Sequence, residues 1–177
     1  MKTAPLVDVE EDEVGVIETD LGRIVLEFYT DVAPQHCRAF KRLANLGGYD
    51  GTTFHRVVPG FVIQGGDLLS LDADRSNDGT GQPGYTLPAE FSALKHERGT
   101  LSMARRGNDI NSGGSQFFIC LTATPFLDGQ YTVWGRVAEG MEVVDQIVAI
   151  SGTDQQKQNP DHPVVMKKVR VIKRHEL

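Results

Sequence analysis

The feature that most limits how this chain can fold is a hydrophobic period of two, which begins near residue 14 and returns in short runs along most of the length. In residues 22–29, Ile24, Leu26 and Phe28 fall on one face and Arg23, Glu27 and Tyr29 on the other, the alternation of a strand with one buried face. Residues 14–19 precede it across Asp20-Leu21-Gly22, so the two runs read as a hairpin. Similar runs cover 53–58, 61–65, 100–104, 116–121, 132–137 and 165–173. Only two stretches carry helical spacing. Residues 34–46 open on Pro34, place Cys37, Phe40, Leu43 and Ala44 on one side, and stop at Gly47-Gly48; residues 142–150 carry Val143, Val144, Ile147 and Val148 ahead of Ser151-Gly152. Asp50-Gly51, Asp78-Gly79 and Asp128-Gly129 mark turns. The helices do not alternate with the strands. The pattern therefore predicts an antiparallel, closed or nearly closed sheet whose ends are plugged by two helices.

A chain of 177 residues, 40% of them hydrophobic, has enough apolar side chains for one core. No apolar run approaches the roughly 18 residues that span a bilayer, and the first residues lack the apolar segment of a secretory signal. Cys37 and Cys120 are too few for a disulfide framework and read as free, buried thiols. These features predict a cytoplasmic protein without membrane contact. The net charge is −6, and residues 1–13 alone hold five acids against Lys2. Residues 1–13 thus read as a flexible, solvated acidic head, and 14–177 as a single domain of nearly balanced charge, which argues against a nucleic-acid partner. The basic 167–174 segment alternates with apolar residues and reads as a strand with a solvated face.

Several motifs carry less than they suggest. Residues 79–84 match G-x-G-x-x-G, but no strand precedes them and Pro83 and Pro88 spoil the helix start that a dinucleotide site needs. His36, His55, His96, His162 and His175 form no i, i+4 pair or Cys/His cluster, so no metal site is expected. Ser102, Ser112 and Ser115 lack a nucleophile elbow.

Two segments place polar side chains inside strand-like, apolar text: residues 54–67 and residues 101–120. Alternation puts Arg56 and, past the bend at Pro59-Gly60, Phe61 and Gln64 toward one concavity, and gives Gln116 and Phe118 a common face. The result is an apolar dish with one cation and two amides. Periodicity alone leaves a second reading open, a core edge with a structural ion pair.

At these residues the chain resembles the cyclophilin family of peptidyl-prolyl cis-trans isomerases. Phe54-His55-Arg56-Val57-Val58-Pro59-Gly60-Phe61, continuing to Gln64-Gly65-Gly66-Asp67, is similar to the family's first signature; Gly113-Gly114-Ser115-Gln116-Phe117-Phe118-Ile119 is similar to the second; Leu127-Asp128-Gly129 with Val133-Trp134-Gly135-Arg136-Val137 is similar to the third. The likeness runs in register from about residue 14 to residue 174. It implies an eight-stranded antiparallel closed β-barrel capped by two α-helices, and an isomerase that turns Xaa-Pro bonds in extended peptides without a cofactor and assists protein folding. A low-turnover proline-peptide binding module is the alternative. The partners implied are proline-containing peptides and unfolded or flexible protein segments, met by a monomer.

Carried over by motif, Arg56 is the catalytic group. Phe61, Val62, Phe118 and Leu127 wall the proline pocket, with Phe126 and Tyr131 also in the substrate site. Gln64 and Gln116 bond the substrate backbone, and Ala104 and Arg105 offer main-chain groups to an added strand. His55 points to the opposite side, as a structural residue. The chain departs from the family's usual Met at Val62, Trp at Phe126, His at Tyr131, and Asn and Ala at Arg105 and Arg106. The change at Phe126 predicts reduced affinity for cyclosporin, and Arg106 is expected on the rim of a secondary pocket. Trp134 lies in a strand and is expected in the core, where it does not replace Phe126.

Overall fold

A computed structural model describes residues 5–154, 156 and 158–177. Eight strands form one antiparallel sheet: β1 (Glu13–Thr19), β2 (Gly22–Phe28), β3 (Arg56–Val58), β4 (Val62–Gly65), β5 (Thr100–Met103), β6 (Phe117–Cys120), β7 (Val133–Glu139) and β8 (Lys168–Lys173). Their order is β3-β4-β6-β5-β7-β2-β1-β8. Two helices, α1 (Pro34–Asn45) and α2 (Met141–Ser151), fall within a residue or two of the sequence reading.

The sheet curls without closing. Its edge strands, β3 and β8, share no ladder; only the segments that precede them meet, through the isolated bridge Thr53↔Val165 and the backbone bonds from Gly51 N–H to Met166 O at 2.8 Å, Met166 N–H to Thr52 O at 2.8 Å and Phe54 N–H to Val164 O at 3.0 Å. The expected closed barrel is therefore open along this seam. The reason is local. β3 is three residues long because Val58-Pro59-Gly60-Phe61 turns the chain back into β4, with Phe61 N–H donating to Val58 O at 3.0 Å and Gly60 at φ +73°. Open space surrounds Gly60, so backbone conformation rather than crowding calls for glycine there. The segment after α2 then covers the short edge: Thr153 Oγ1 donates to Val57 O at 3.1 Å, and Val57 N–H donates to Gln158 O at 2.8 Å. An edge covered in this way offers no template for another strand.

The period of two separates two apolar clusters. On β6, Phe117 and Ile119 face the main core, and Phe118 and Cys120 join a smaller cluster on the other face with Val58, Val62 and Leu127. The main core packs Phe40 tilted against Trp134 at 4.9 Å and against Tyr49 at 5.2 Å, with Phe117 edge-on to Trp134 at 6.0 Å. Trp134 is fully buried, as its strand position predicted. Cys37 and Cys120 are free and buried.

α1 begins on Ala33, which has no capping side chain. Glu90 does the work from 54 positions away: its carboxylate accepts the backbone N–H groups of Gln35 and His36 at 3.1 Å and lies 2.5 Å from His36 Nδ1. It thereby satisfies donors that a helix start leaves open. The described part of the acidic head is docked. Arg38 Nε donates to Asp8 at 2.5 Å, Lys41 Nζ bonds Asp8 O and Glu13, Lys173 Nζ bonds Glu10 and Asp12, and Val9 is buried. Four of the five acids of the head, Asp8, Glu10, Asp12 and Glu13, thus have cationic partners on α1 and β8, and each exposed pair contributes about 0–1 kcal/mol.

Candidate active site

On the outer face of β4 and β6 lies an open cleft of about 260 Å³. Val62 and Phe118 form its floor, Phe61 and Leu127 its walls, and Ala104, Arg105 and Tyr131 one end. A 3-10 turn at Pro125–Leu127 carries Phe126 to the rim, where it stays 70% exposed and its ring sits 5.6 Å from Phe61. Ten of the eleven side chains expected to act on or bind substrate line this space. Gln116 is the exception.

Arg56 and Gln64 are opposite each other in the β3–β4 register, so their side chains share a face. Arg56 Nη1 donates to Gln64 Oε1 at 3.2 Å, and Gln64 Nε2 donates to Gln116 Oε1 at 3.1 Å. Gln116 Nε2 donates to the carbonyls of Gly79 and Gly81 at 2.9 and 3.1 Å. The amide orientations follow from the two ends of this chain, because arginine only donates and carbonyls only accept. Both Gln116 N–H protons are thereby committed to the 79–81 loop. This glycine loop, which mimicked a nucleotide motif, is instead the anchor of the polar relay. A Cβ at Gly81 would strike Asp67, so the loop packs too closely for a side chain there.

Arg56 Nε donates to Gln158 Oε1 at 2.8 Å. The remaining guanidinium N–H groups, both of those on Nη2 among them, have no protein partner among the described residues. Partial burial draws the Arg56 pKa below its ordinary value, yet arginine stays charged at neutral pH. Gln158 was not legible in the sequence: it lies 102 positions from Arg56 in a loop without periodicity.

Arg105 lies over the Tyr131 ring at 4.4 Å and donates to Gln130 O, Arg106 O and Gly107 O. It is a fixed ledge rather than a free cation. Arg106 is exposed, 3.7 Å from Asp109, and with Gln64, Gln116 and Arg105 it lines an adjoining cavity of about 100 Å³. His55 is buried off the apolar cleft, and burial lowers its pKa against the opposing pull of Asp67.

Beneath Phe118 the structure brings together a group that the sequence did not suggest. His96 stacks on Phe118 with centroids 6.0 Å apart; its Nδ1 lies 3.0 Å from Asp128 Oδ1 and its Nε2 2.9 Å from Ser102 Oγ. The arrangement has the order of a hydrolase triad, but Ser102 is 0% exposed and no substrate reaches it. Burial lowers the His96 pKa, partly offset by Asp128. The network braces the floor of the cleft. Among the described residues, no group of three or more His, Cys, Asp or Glu is placed to hold a metal ion, and no helix is long and apolar enough to cross a membrane.

Comparison with known proteins agrees with this geometry. The family model for cyclophilin type peptidyl-prolyl cis-trans isomerase/CLD matches residues 14–171. A Brucella abortus protein named "Probable peptidyl-prolyl cis-trans isomerase" is 44% identical over 152 residues, covering 83% of this chain and 76% of that protein. The Neurospora crassa "Peptidyl-prolyl cis-trans isomerase-like 1" is 40% identical over 168 residues, covering 91% of this chain and 95% of the other. Among solved structures, a Cryptosporidium parvum cyclophilin type isomerase crystallised in the presence of the dipeptide Ala-Pro superposes with a TM-score of 0.80 at 30% identity, covering 90% of this chain and 98% of that one. The family match runs from β1 into β8 and includes both strands that carry the cleft, and the chain belongs to the cyclophilin-type peptidyl-prolyl cis-trans isomerases.

Proposed function

We propose that the cleft holds the proline of an extended Xaa-Pro segment, and that Arg56 stabilises the bond as it twists. Planarity of the peptide bond costs about 18–20 kcal/mol to break, and uncatalysed Xaa-Pro exchange takes tens to hundreds of seconds. Twisting returns single-bond character to C–N and localises the lone pair on nitrogen. The reaction needs no nucleophile and no proton shuttle. It needs a grip on the ring and a donor that meets the twisted amide better than the planar one.

The chain has both. The cleft of about 260 Å³ falls below the usual range of sites for drug-sized ligands and suits one ring with adjacent backbone. The Ala-Pro dipeptide named with the Cryptosporidium structure is a ligand of that class. The observation that carries the reading is the Arg56 fork, fixed at Nε and Nη1 and unengaged at Nη2, on the rim of an apolar floor. Bringing an exchange of about 100 s to about 10 ms takes roughly 10⁴-fold, or about 5.5 kcal/mol, within reach of one charge-assisted hydrogen bond plus orientation. Gln64 remains beside the cleft to meet substrate backbone, with Gln116 as its strut. The two thiols left free suit a reducing compartment, so we place the protein in the cytoplasm.

The test is a protease-coupled isomerisation assay on a short Xaa-Pro peptide. Turnover should lie far above the solvent rate and be insensitive to chelators. Thiol reagents leave it intact as well, because burial pushes the Cys37 and Cys120 pKa values up to about 12 and about 11. Peptide binding without acceleration would instead mark a recruitment module.

A further inference from the structure

Arg56 stands between two cavities. One is the apolar cleft. The other, of about 340 Å³, is polar and is lined by His55, Asp78, Gly79, Gln158 and Asn159. Asp78 already pairs with Arg75 Nη1 at 2.8 Å, and its carboxylate is an obvious attraction for a second guanidinium. Arginine has a long, flexible stem, so a catalytic role at the cleft requires something to keep the fork from turning to the polar side.

The contact placed to do this is Gln158. Nε is the donor at the root of the guanidinium, so the bond from Nε to Gln158 Oε1, together with Nη1 on Gln64, gives the plane two fixed points. Gln158 is itself held. Its carbonyl accepts the N–H of Val57, the next residue along β3. On one side Thr153 Oγ1 bonds Val57 O; on the other, Arg75 Nη2 bonds Pro160 O at 2.7 Å and also Asn159 Oδ1. The same loop that covers the open sheet edge therefore presents one acceptor to Arg56.

We propose that Gln158 is a positioning residue that holds the Arg56 guanidinium facing the cleft; this rests on Arg56 being the catalytic group. The apolar walls do not depend on Gln158, so its loss should fall on kcat rather than on KM. Gln158→Met keeps the length of the side chain and removes the acceptor, whereas Gln158→Glu keeps an acceptor oxygen. The expected result is a kcat for Gln158→Met lower by roughly tenfold, as for loss of one hydrogen bond to a charged group, with KM within about twofold, while Gln158→Glu stays within about threefold of wild type. In an Arg56→Lys background, which has no Nε, Gln158→Met should change kcat no further, since the two side chains act as one unit. Proton NMR supplies a readout independent of turnover: the Arg56 Nε–H should be protected from exchange in the wild-type protein and in Gln158→Glu, and unprotected in Gln158→Met. A Gln158→Met kcat within twofold of wild type, unchanged Nε–H protection, or the same loss of kcat in the Arg56→Lys background overturns the proposal. A fully active Arg56→Lys single variant would overturn the catalytic role of Arg56 instead, and the Nε–H measurement would still report on Gln158.

Discussion

Phe117 and Phe118 are neighbours on one strand with different tasks. Phe117 meets Phe40, Tyr49 and Trp134 in a core closed to solvent on every side. Phe118 rests on His96 and Tyr131 and forms the floor of a cleft whose other aromatic, Phe126, is largely exposed. Ring separations in the two clusters are alike, so aromatic packing by itself does not mark the site. What differs is closure. The core satisfies all its apolar surface internally, while the cleft leaves part of its surface for a ligand and sets a half-buried cation at the edge. Stability should therefore reside mainly on one face of the sheet and chemistry on the other.

The largest effect expected from this contrast is at Phe117. Phe117→Ala should cost about 3–5 kcal/mol of stability through lost burial and a residual cavity. Phe126→Ala should change the unfolding free energy, read from urea titration, by no more than about 0.5 kcal/mol, because an exposed ring adds little to folding, while weakening peptide turnover. Equal losses of stability in the two variants would erase the distinction between the clusters.

Next in size is the rim itself. Cyclosporin A, a ligand implied by the family resemblance, should bind the wild-type protein, and Phe126→Trp should tighten it by about 1–3 kcal/mol through added contact area and an indole N–H donor. Calorimetric titration of both proteins decides this. An unchanged or weaker dissociation constant in the variant would show that Phe126 is not the limiting contact.

The smallest effect concerns the adjoining cavity. Arg106 is exposed and already near Asp109, so any preference for acidic side chains two or three residues before proline should be only several-fold, as exposed pairs contribute about 0–1 kcal/mol. It should fade with salt. Peptides differing only as Glu or Lys at those positions, compared by kcat/KM at low and high salt, test it. A ratio near one, or the same ratio in Arg106→Ala, leaves Arg106 as a surface pair with Asp109.

The same contrast explains what was legible in the sequence. Strand alternation writes its period locally, so the common face of Gln116 and Phe118, the hairpin of β1 and β2, and both helices could be read from neighbouring residues; on β4 the residue that shares the cleft face with Gln64 is Val62, two positions away, and not Phe61. Contacts made by loops across long separations left no such trace. Gln158 on Arg56, Glu90 at the start of α1, and the His96–Asp128–Ser102 brace all join residues whose local patterns do not point to one another. Closure of the barrel is not legible for a related reason: whether β3 and β8 pair depends on register and on long-range contacts such as those of Thr153 and Gln158 with Val57, not on the period of either strand. The partner of the 79–81 loop, Gln116, likewise emerges only from the fold.

In the proposed mechanism a fixed guanidinium, rather than a general positive charge, stabilises the twisted bond. The direct test is kcat/KM for Arg56→Lys in the protease-coupled assay, with circular dichroism as the control for folding. Lysine keeps the charge but lacks the planar fork and the Nε donor that Gln158 holds. Most of the catalysis should be lost, on the order of 100-fold as for removal of one transition-state donor, with an unchanged spectrum. Activity within about twofold of wild type in a folded Arg56→Lys protein would contradict it.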